Sequence, residues 1–559
     1  MKKTILSWLA LALLTVGAPL AKAQDDSSET KPVLVASFSG YAELKRDLNY
    51  FGTLAGNPDI AAGFEQLLLL FTQGQGLAGL DQARPWGASV SITADGSEFP
   101  ALVFLPVTDL SKLLDALAAI VGEADDAGDD IFEIKRGTNT YFIKQNGKWA
   151  YLAQQKGDLE TLPSDPAKLF RGLDKKYDLA LSINIQNIPQ SFRDTAAEFI
   201  KQGLDAKLQQ SMDDDEEGES DSHAEMARHQ AAEMIKRINE LDQITLGLNV
   251  DRPESRTYLD IEVTGVPGSD AAKELAGSEE VEGTRFGGML SPEALFSLHI
   301  NSPASEDDEE QAEQMLDYVR TQLNNEIDKD DDLKDDQKEV AKDLAGKLVG
   351  IVADTIEEKG RLNAGLTVIG EGPLTVALGV LVSDAGKLES VIKQFVELAV
   401  KHDELPKPKF NAEKYKGFRF HTVAVPVSDD DENADKVRAT LGDPVKVALA
   451  FSDDLFYVAA GENGIATIKK VIDGSAETPT EKLPPLTISL ALASVLKLAD
   501  AQGNPNAKSL AQNLKGGKDH VKLTVEPVDN GVRYRIEAEE GINKLLGSRL
   551  GNAARAGGQ

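Results

Sequence analysis

The chain of 559 residues contains no cysteine. Disulfides, thiolate metal sites and the lipid-bearing cysteine of a bacterial lipoprotein are thereby excluded. Histidine is scarce, with six residues, and aromatics make up only 6% of the chain. His223 and His229 stand six apart, so they do not share the i, i+4 face of a zinc-binding helix. Glu225, His229 and Glu233 do fall at that spacing, a pattern that an exposed helix surface with local ion pairs also produces. The G-x-S-x-G elbow, the phosphate-cradling glycine loop and a G-x-G-x-x-G following a strand are all missing. S-x-x-K occurs at Ser390 to Lys393 and at Ser494 to Lys497. The first lies inside an amphipathic helical pattern, and the second is too close to Lys515-Gly516-Gly517 for a penicillin-binding arrangement. Positive charge is also short, with 59 Lys and Arg against 92 Asp and Glu and a formal charge of -33. Such a surface gains nothing from another polyanion, which disfavours nucleic acid and anionic lipid headgroups as partners.

Long apolar runs are confined to the start, "MKKTILSWLALALLTVGAPLAKAQDD". Two lysines, a short apolar stretch, helix-breaking Gly17 and Pro19, and an Ala21-Lys22-Ala23 site read as a secretory signal peptide, residues 1–23, cleaved after Ala23. The stretch is shorter than the ~20 apolar residues that cross a bilayer. No later segment reaches that length, so no integral membrane segment is expected after cleavage. The expected location is the periplasm or the outside of the cell.

What is present is material for real cores: 41% hydrophobic and 27% charged residues. At this length more than one lobe is expected. A pattern of strands and helices occurs twice in the same order. "FPALVFLPVTDLSKLLDALAAIV" gives a strand and a helix with Leu110, Leu113, Leu114, Leu117 and Ile120 on one face. "PLTVALGVLVSDAGKLESVIKQFV" repeats it with Leu388, Val391, Ile392 and Phe395. Hairpins turning at Asn146-Gly147 and at Asp453-Asp454 follow, then "YDLALSINIQNI" and "LPPLTISLALASV". "QITLGLNVDRPESRTYLDIEVTG" and "HVKLTVEPVDNGVRYRIEAEEG" close the two halves. The expected fold class is α+β: two pseudo-repeated lobes of mainly antiparallel sheet, with amphipathic helices packed on one face and long helical insertions. The lobes are placed at 24–266, with an acidic helical insertion around "SMDDDEEGESDSHAE", and at 291–545. A linker covers 267–290 and a flexible tail 546–559. The apolar run Leu67 to Phe71 reads either as a buried core helix or as the wall of an apolar cavity.

"DKDDDLKDDQKE" lies between two amphipathic helical patterns, one carrying Met315, Leu316, Val319 and Leu323 and the other Val340, Leu344, Leu348, Ile351, Val352 and Ile356. Its carboxylates fit a calcium loop at Asp328, Asp330, Asp332, Asp336 and Glu339. Leu333, however, stands where glycine should supply the sharp bend. A solvated turn with weak divalent-cation binding is the favoured reading over a shaped metal site.

The stretches "DLNYFGTLAGNPDIAAGFEQLLLLFTQGQGLAGLDQARPWG", "PALVFLPVTDLSKLL", "DPAKLFRGLDKKYDLALSINIQNIP" and "DRPESRTYLDIEVTGVPGS" resemble a group of uncharacterised exported bacterial proteins with a signal peptide and two α+β repeats. That resemblance implies an architecture and no activity, cofactor or site residue. The leading expectation is a non-catalytic cell-envelope protein with a scaffold or binding role and no cofactor, its partner an envelope protein or an apolar ligand. A periplasmic carrier of an apolar or lipid-like ligand is the alternative, and a hydrolase of envelope polymers using unrecognised carboxylates is the third.

Overall fold

The computed structural model describes residues 31–93, 95–214, 237–277, 283–303, 306–329, 334–370, 372–401, 405–428, 433–477, 483–501, 504–505, 507–514 and 518–557. The leader expected at 1–23 lies outside them. The chain mixes helix and antiparallel sheet, as an α+β composition predicts, and divides into two compact units. Unit 1 comprises Met1–Gly277 and Pro527–Gln559, and unit 2 comprises Ser278–Glu526.

Unit 1 holds β1 Lys31–Phe38, β2 Trp86–Ile92, β3 Ala101–Pro106, β4 Ala124–Asp126, β5 Ile131–Arg136 and β6 Asn139–Asn146. It continues with β7 Trp149–Ala153, β8 Leu179–Asn184, β9 Leu241–Asp251 and β10 Arg256–Gly265. Unit 2 holds β11 Ala294–Pro303, β12 Arg361–Ile369, β13 Thr375–Leu381, β14 Lys409–Tyr415 and β15 Phe418–Val425. Its remaining strands are β16 Val445–Phe451, β17 Leu455–Ala460, β18 Leu486–Ala491 and β19 His520–Val528. The chain then returns to unit 1 for β20 Gly531–Ala538 and the helix Glu540–Gly557.

Within unit 1 the strands pair antiparallel in the order β20-β10-β9-β8-β1-β2-β3-β7-β6-β5-β4. Within unit 2 the order is β19-β18-β11-β12-β13-β17-β16-β15-β14, again antiparallel throughout. From β9 to β4 and from β19 to β14, the second order is the first advanced by ten. Period-two alternation in short β-branched and leucine-rich runs specifies these strands, and tight turns set their register. At the β6–β7 turn, Gly147 adopts φ 62°, a conformation open to glycine at little cost.

The cores lie toward one end of each sheet. In unit 1 the helix Leu110–Val121, capped by the Asp109 carboxylate accepting from Lys112 N, presses Leu110, Leu113 and Leu114 onto Ile134, Ile143 and Ala150. A second core on the other face gathers Phe104, Trp149, Tyr151, Leu159 and Phe170. In unit 2 the helix Ala385–Lys401 sets Leu388 and Val391 against Phe451, together with Leu344 and Ile351 of the helix Asp335–Lys359. Phe395, expected on that buried stripe, is exposed instead. Phe286, Met289, Phe420, Tyr457 and Ile468 fill the opposite face.

Candidate functional site: apolar sheet faces

The unusual chemistry lies on the strands themselves. Cross-strand pairing in unit 1 sets three rows of side chains on one face of six neighbouring strands, β2-β1-β8-β9-β10-β20. The first row is Trp86, Phe38, Leu179, Leu248, Leu259 and Ile536. The second is Ala88, Ala36, Leu181, Leu246, Ile261 and Tyr534, and the third is Val90, Leu34, Ile183, Ile244, Val263 and Val532. Not one of these eighteen side chains is charged. With strands ~4.8 Å apart and same-face residues ~6.8 Å apart, the grid measures about 24 by 14 Å. Only Val532 is buried; Leu179 is 50% exposed, and Leu246, Leu248, Ile261, Tyr534 and Ile536 range from 38% to 43%. A soluble chain rarely leaves so continuous an apolar surface in contact with water without a use for it.

The other face of the same strands is largely small and polar apart from Val33 and Val35, and it is the covered one. Ser37, Ser89, Ser182, Thr245 and Asp260 are buried there. Gly247, between Ala180 and Asp260 in register, lets the Tyr177 ring lie flat against the backbone. Tyr177 Oη donates to Asp260 Oδ2 at 2.9 Å, and Arg535 grips both Asp260 oxygens at 2.7 and 2.8 Å. Burial, the hydrogen bond and the neighbouring carboxylate all push the Tyr177 phenol upward, so it stays a donor. Glu262 accepts from Lys176 at 2.8 Å and from Arg533 at 3.1 Å; burial opposes its ionisation, but these two cations win and hold it below the ordinary range. Antiparallel sheets commonly turn polar residues to water and apolar ones inward. Here that polarity is reversed, and its charged side chains Asp260 and Glu262 are paired because burial requires it.

Unit 2 repeats the inversion. Its rows run Val521, Leu490, Phe296, Val368, Val376; then Leu523, Ile488, Leu298, Leu366, Leu378; then Val525, Leu486, Ile300, Ala364, Val380. All fifteen are half-buried, and Val380 packs against the core of Leu344, Ile351 and Leu388. On the covered face Ser297, His299, Asn301, Asn363, Thr367 and Thr487 are buried, and the segment Thr284 to Met289 bonds to three of them. Thr284 Oγ1 lies 2.5 Å from His299 Nε2, Asn363 Oδ1 accepts from Arg285 N at 3.3 Å, and Ser297 Oγ donates to Met289 O at 2.9 Å. Gly365 makes room for Met289, whose Cγ would stand 2.7 Å from a Cβ there. The buried polar stripe is thus a seat for irregular backbone. Burial pulls His299 down to about 4, so its ring is neutral at pH 7.

Two clusters of titratable groups have the look of active centres and lack the necessary freedom. In unit 2, Glu389 accepts from Lys393 at 2.6 Å, from Arg419 at 2.9 and 2.7 Å, and meets His421 Nε2 at 2.9 Å. Burial opposes ionisation of Glu389, but these three partners overcome it and hold the carboxyl at about 2. His421 Nδ1 accepts from Asn411 N at 2.8 Å, so both ring nitrogens are engaged and neither is free to act as a base. Burial lowers the His421 pKa, with the Glu389 hydrogen bond acting against it. The adjoining pocket, lined by Ile392, Phe410, Val423 and Leu449 among others, offers about 20 Å³, room for little more than one water. In unit 1, Glu43, Asp47 and Asp178 each bring an oxygen within 4.8 Å of the others. Arg252 fills the role of cation there, with Nη1 2.6 Å from Asp47 and Nη2 on Glu43. Asp178 is occupied by Val250 N at 2.7 Å and Ser39 Oγ at 3.3 Å. Burial and the Asp178 charge push Asp47 up to about 7 against the pull of Arg252.

Of the five carboxylates in the suggested calcium loop, Asp328 lies in the last turn of the helix Glu306–Lys329 and Glu339 lies in the helix Asp335–Lys359, both exposed. Asp328 Oδ2 pairs with Lys342 Nζ at 2.5 Å, and its carbonyl accepts from Lys338 Nζ at 2.7 Å. Asp330, Asp332 and the side chain of Asp336 lie outside the described residues, as do His223, Glu225, His229 and Glu233. The run Leu67 to Phe71 is not a buried core helix: in the helix Ile60–Phe71 only Ala61 is buried. Alternation in the sequence does place His299 opposite Leu298, but it carries no mark of which face is covered. No protein-family model, curated protein or solved structure matches the chain, and what it does has to be read from these faces.

Proposed function

We propose that this is an exported, non-catalytic binding protein of the periplasm or extracellular space, released by cleavage after Ala23, whose open sheet face in unit 1 takes an apolar, acyl-chain-like ligand. The carrying observation is the uncharged grid on β2-β1-β8-β9-β10-β20 and its counterpart on β13-β12-β11-β18-β19. The shared strand order and the shared inversion of polarity support an internal duplication, in which the feature kept twice is an apolar surface and not a polar cluster. A chain hiding about 300 Å² of apolar area on such a face gains about 7 kcal/mol before the costs of association. The charge of -33 argues against two other occupants: a second copy would carry the same charge, and an anionic headgroup would be repelled.

Native mass spectrometry of the mature chain purified from its own compartment, under gentle declustering, tests this together with titration by a fluorescent, uncharged monoacylglycerol. A lipid-sized adduct is expected, with probe binding weakened at least tenfold by the paired change Leu246→Asp and Ile261→Asp. A bare mass and no probe uptake would leave the scaffold role, with protein partners, as the better account. A calcium adduct abolished by Asp328→Ala would instead restore the acidic turn as a metal loop.

A further inference from the structure

We infer that His421 is an acid-sensitive hook on the edge strand of unit 2: taking up a proton at Nδ1 unfastens residues 409–412 of β14 from β15. β14 ends the strand order of its sheet and pairs with β15. In that ladder Lys409 pairs with Thr422 and Glu413 with Phe420, so three residues of β14 stand against the single His421. Across this bulge the acceptor for Asn411 N is the His421 ring, at 2.8 Å, in place of a strand carbonyl. Asn411 takes φ 52°, the left-handed conformation that asparagine tolerates better than most residues.

The two ring nitrogens have different duties. An ionised carboxylate only accepts, so Nε2, 2.9 Å from Glu389 Oε1, carries the ring proton, while Nδ1 accepts from Asn411 N and carries none. A further proton has one place on the ring, and Nδ1–H would then face another N–H. Nδ1 therefore takes it only by giving up Asn411. Glu389 does not intercept that proton: burial opposes its ionisation, but Arg419, Lys393 and His421 hold its carboxyl at about 2. Burial lowers the His421 pKa, and the charges of Lys393 and Arg419 act with it against the Glu389 bond, so acid favours the unhooked form. Glu389 and Lys393 face the ring from the helix Ala385–Lys401, and Arg419 from its own strand. β14 brings Asn411 and Phe410 to it, and β16 brings Leu449 and Phe451, none of them titratable. The Phe410 ring stands 5.5 Å from the His421 ring and lines the pocket of about 20 Å³ with Ile392, Val423 and Leu449. Unfastening carries Phe410 away and opens that pocket to water. Beyond the bulge, Tyr415 Oη donates to Asp473 at 2.9 Å and Glu413 pairs with Lys469, so the rest of β14 stays on the helix Gly464–Glu477. The released part is short.

The test is residue-resolved amide exchange on the full mature chain at about pH 7.5 and about pH 5, corrected for the intrinsic effect of pH on exchange. Protection of Asn411 should fall about tenfold or more between the two, within the limit of about tenfold per pH unit that one proton sets, while β16 and β17 hold theirs. His421→Gln offers Asn411 an amide oxygen that does not titrate, and should abolish this pH dependence. Nitrogen-15 spectra of histidine-labelled wild type need no variant. They should show His421 with its proton on Nε2 at the higher pH and doubly protonated where Asn411 has lost protection. A ring carrying its proton on Nδ1 at the higher pH would overturn the hook. So would Asn411 protection that stays constant as His421 titrates, or that falls equally in His421→Gln. Loss across β11, β12 and β13 in step with Asn411 would overturn it as well, because that reports unfolding of the unit and not release of its edge.

Discussion

At the scale of single residues, the acid response of unit 2 follows from three buried groups. His299 has a folded pKa near 4 against 6.5 in the open chain, so the unfolded state takes up a proton first as pH falls. The stability it gives is present above pH 6.5 and is lost as pH falls from there to about 4, a decline of about 3 kcal/mol in all. His421, also lowered by burial, adds a loss of the same sign. Glu389 acts at lower pH: its folded value of about 2 lies below the ordinary 4.5, so its contribution holds above 4.5 and disappears as pH falls through 2. Urea unfolding across pH 7 to 4 should show the midpoint falling with pH, and His299→Gln should flatten that slope. Glu389→Gln should cost several kcal/mol at pH 7, because Arg419 and Lys393 lose the carboxylate that compensates them. An unchanged midpoint in Glu389→Gln would mean that solvent already screens the cluster.

At the scale of elements, strand alternation was legible in the sequence and its meaning was not. In "QITLGLNV" the residues Ile244, Leu246 and Leu248 alternate with Thr245, Gly247 and Asn249, and the hairpin with "RTYLDIEVTG" forms as the turn residues specify. Period two separates the faces of a strand but does not say which one is covered. What decides it is distant in sequence: Tyr177 and Arg535, far on either side of β9 and β10, meet at Asp260 and close the polar face. Gly247 is the local trace of that closure, because a Cβ there would lie 2.5 Å from the Tyr177 ring. Gly247→Ala should therefore lower stability by about 2 kcal/mol through overpacking, read as a lower urea midpoint with an altered tyrosine signal in the near-ultraviolet. Helices were easier to place. The apolar spacing from 340 to 356 puts Leu344 and Ile351 into a core, while Val340 and Val352, on the same run, remain exposed because the stripe is wider than the surface available to cover it.

At the scale of the molecule, the chain path makes a prediction that no local pattern contains. Unit 1 is interrupted by the whole of unit 2, and its last strand arrives only after Pro527. That strand delivers Arg533 and Arg535 to Glu262 and Asp260, and the following helix brings Asn543 to Tyr50 Oη at 3.3 Å and to Ser255 O at 3.2 Å. It also completes the apolar grid with Tyr534 and Ile536. Truncation after Glu526 leaves Asp260, which is fully buried, without its guanidinium, and an uncompensated buried charge costs about 3 to 5 kcal/mol on its own. Amide exchange on the truncated chain should show protection lost across β1, β8, β9 and β10 but kept across β11, β12 and β13, since none of the pairings among those three uses residues beyond 526. Protection persisting in β9 and β10 would mean that the hairpin is held without β20. Monoacylglycerol binding to unit 1 should then survive the truncation as well, which makes the same chain a direct test of whether the grid needs all six strands.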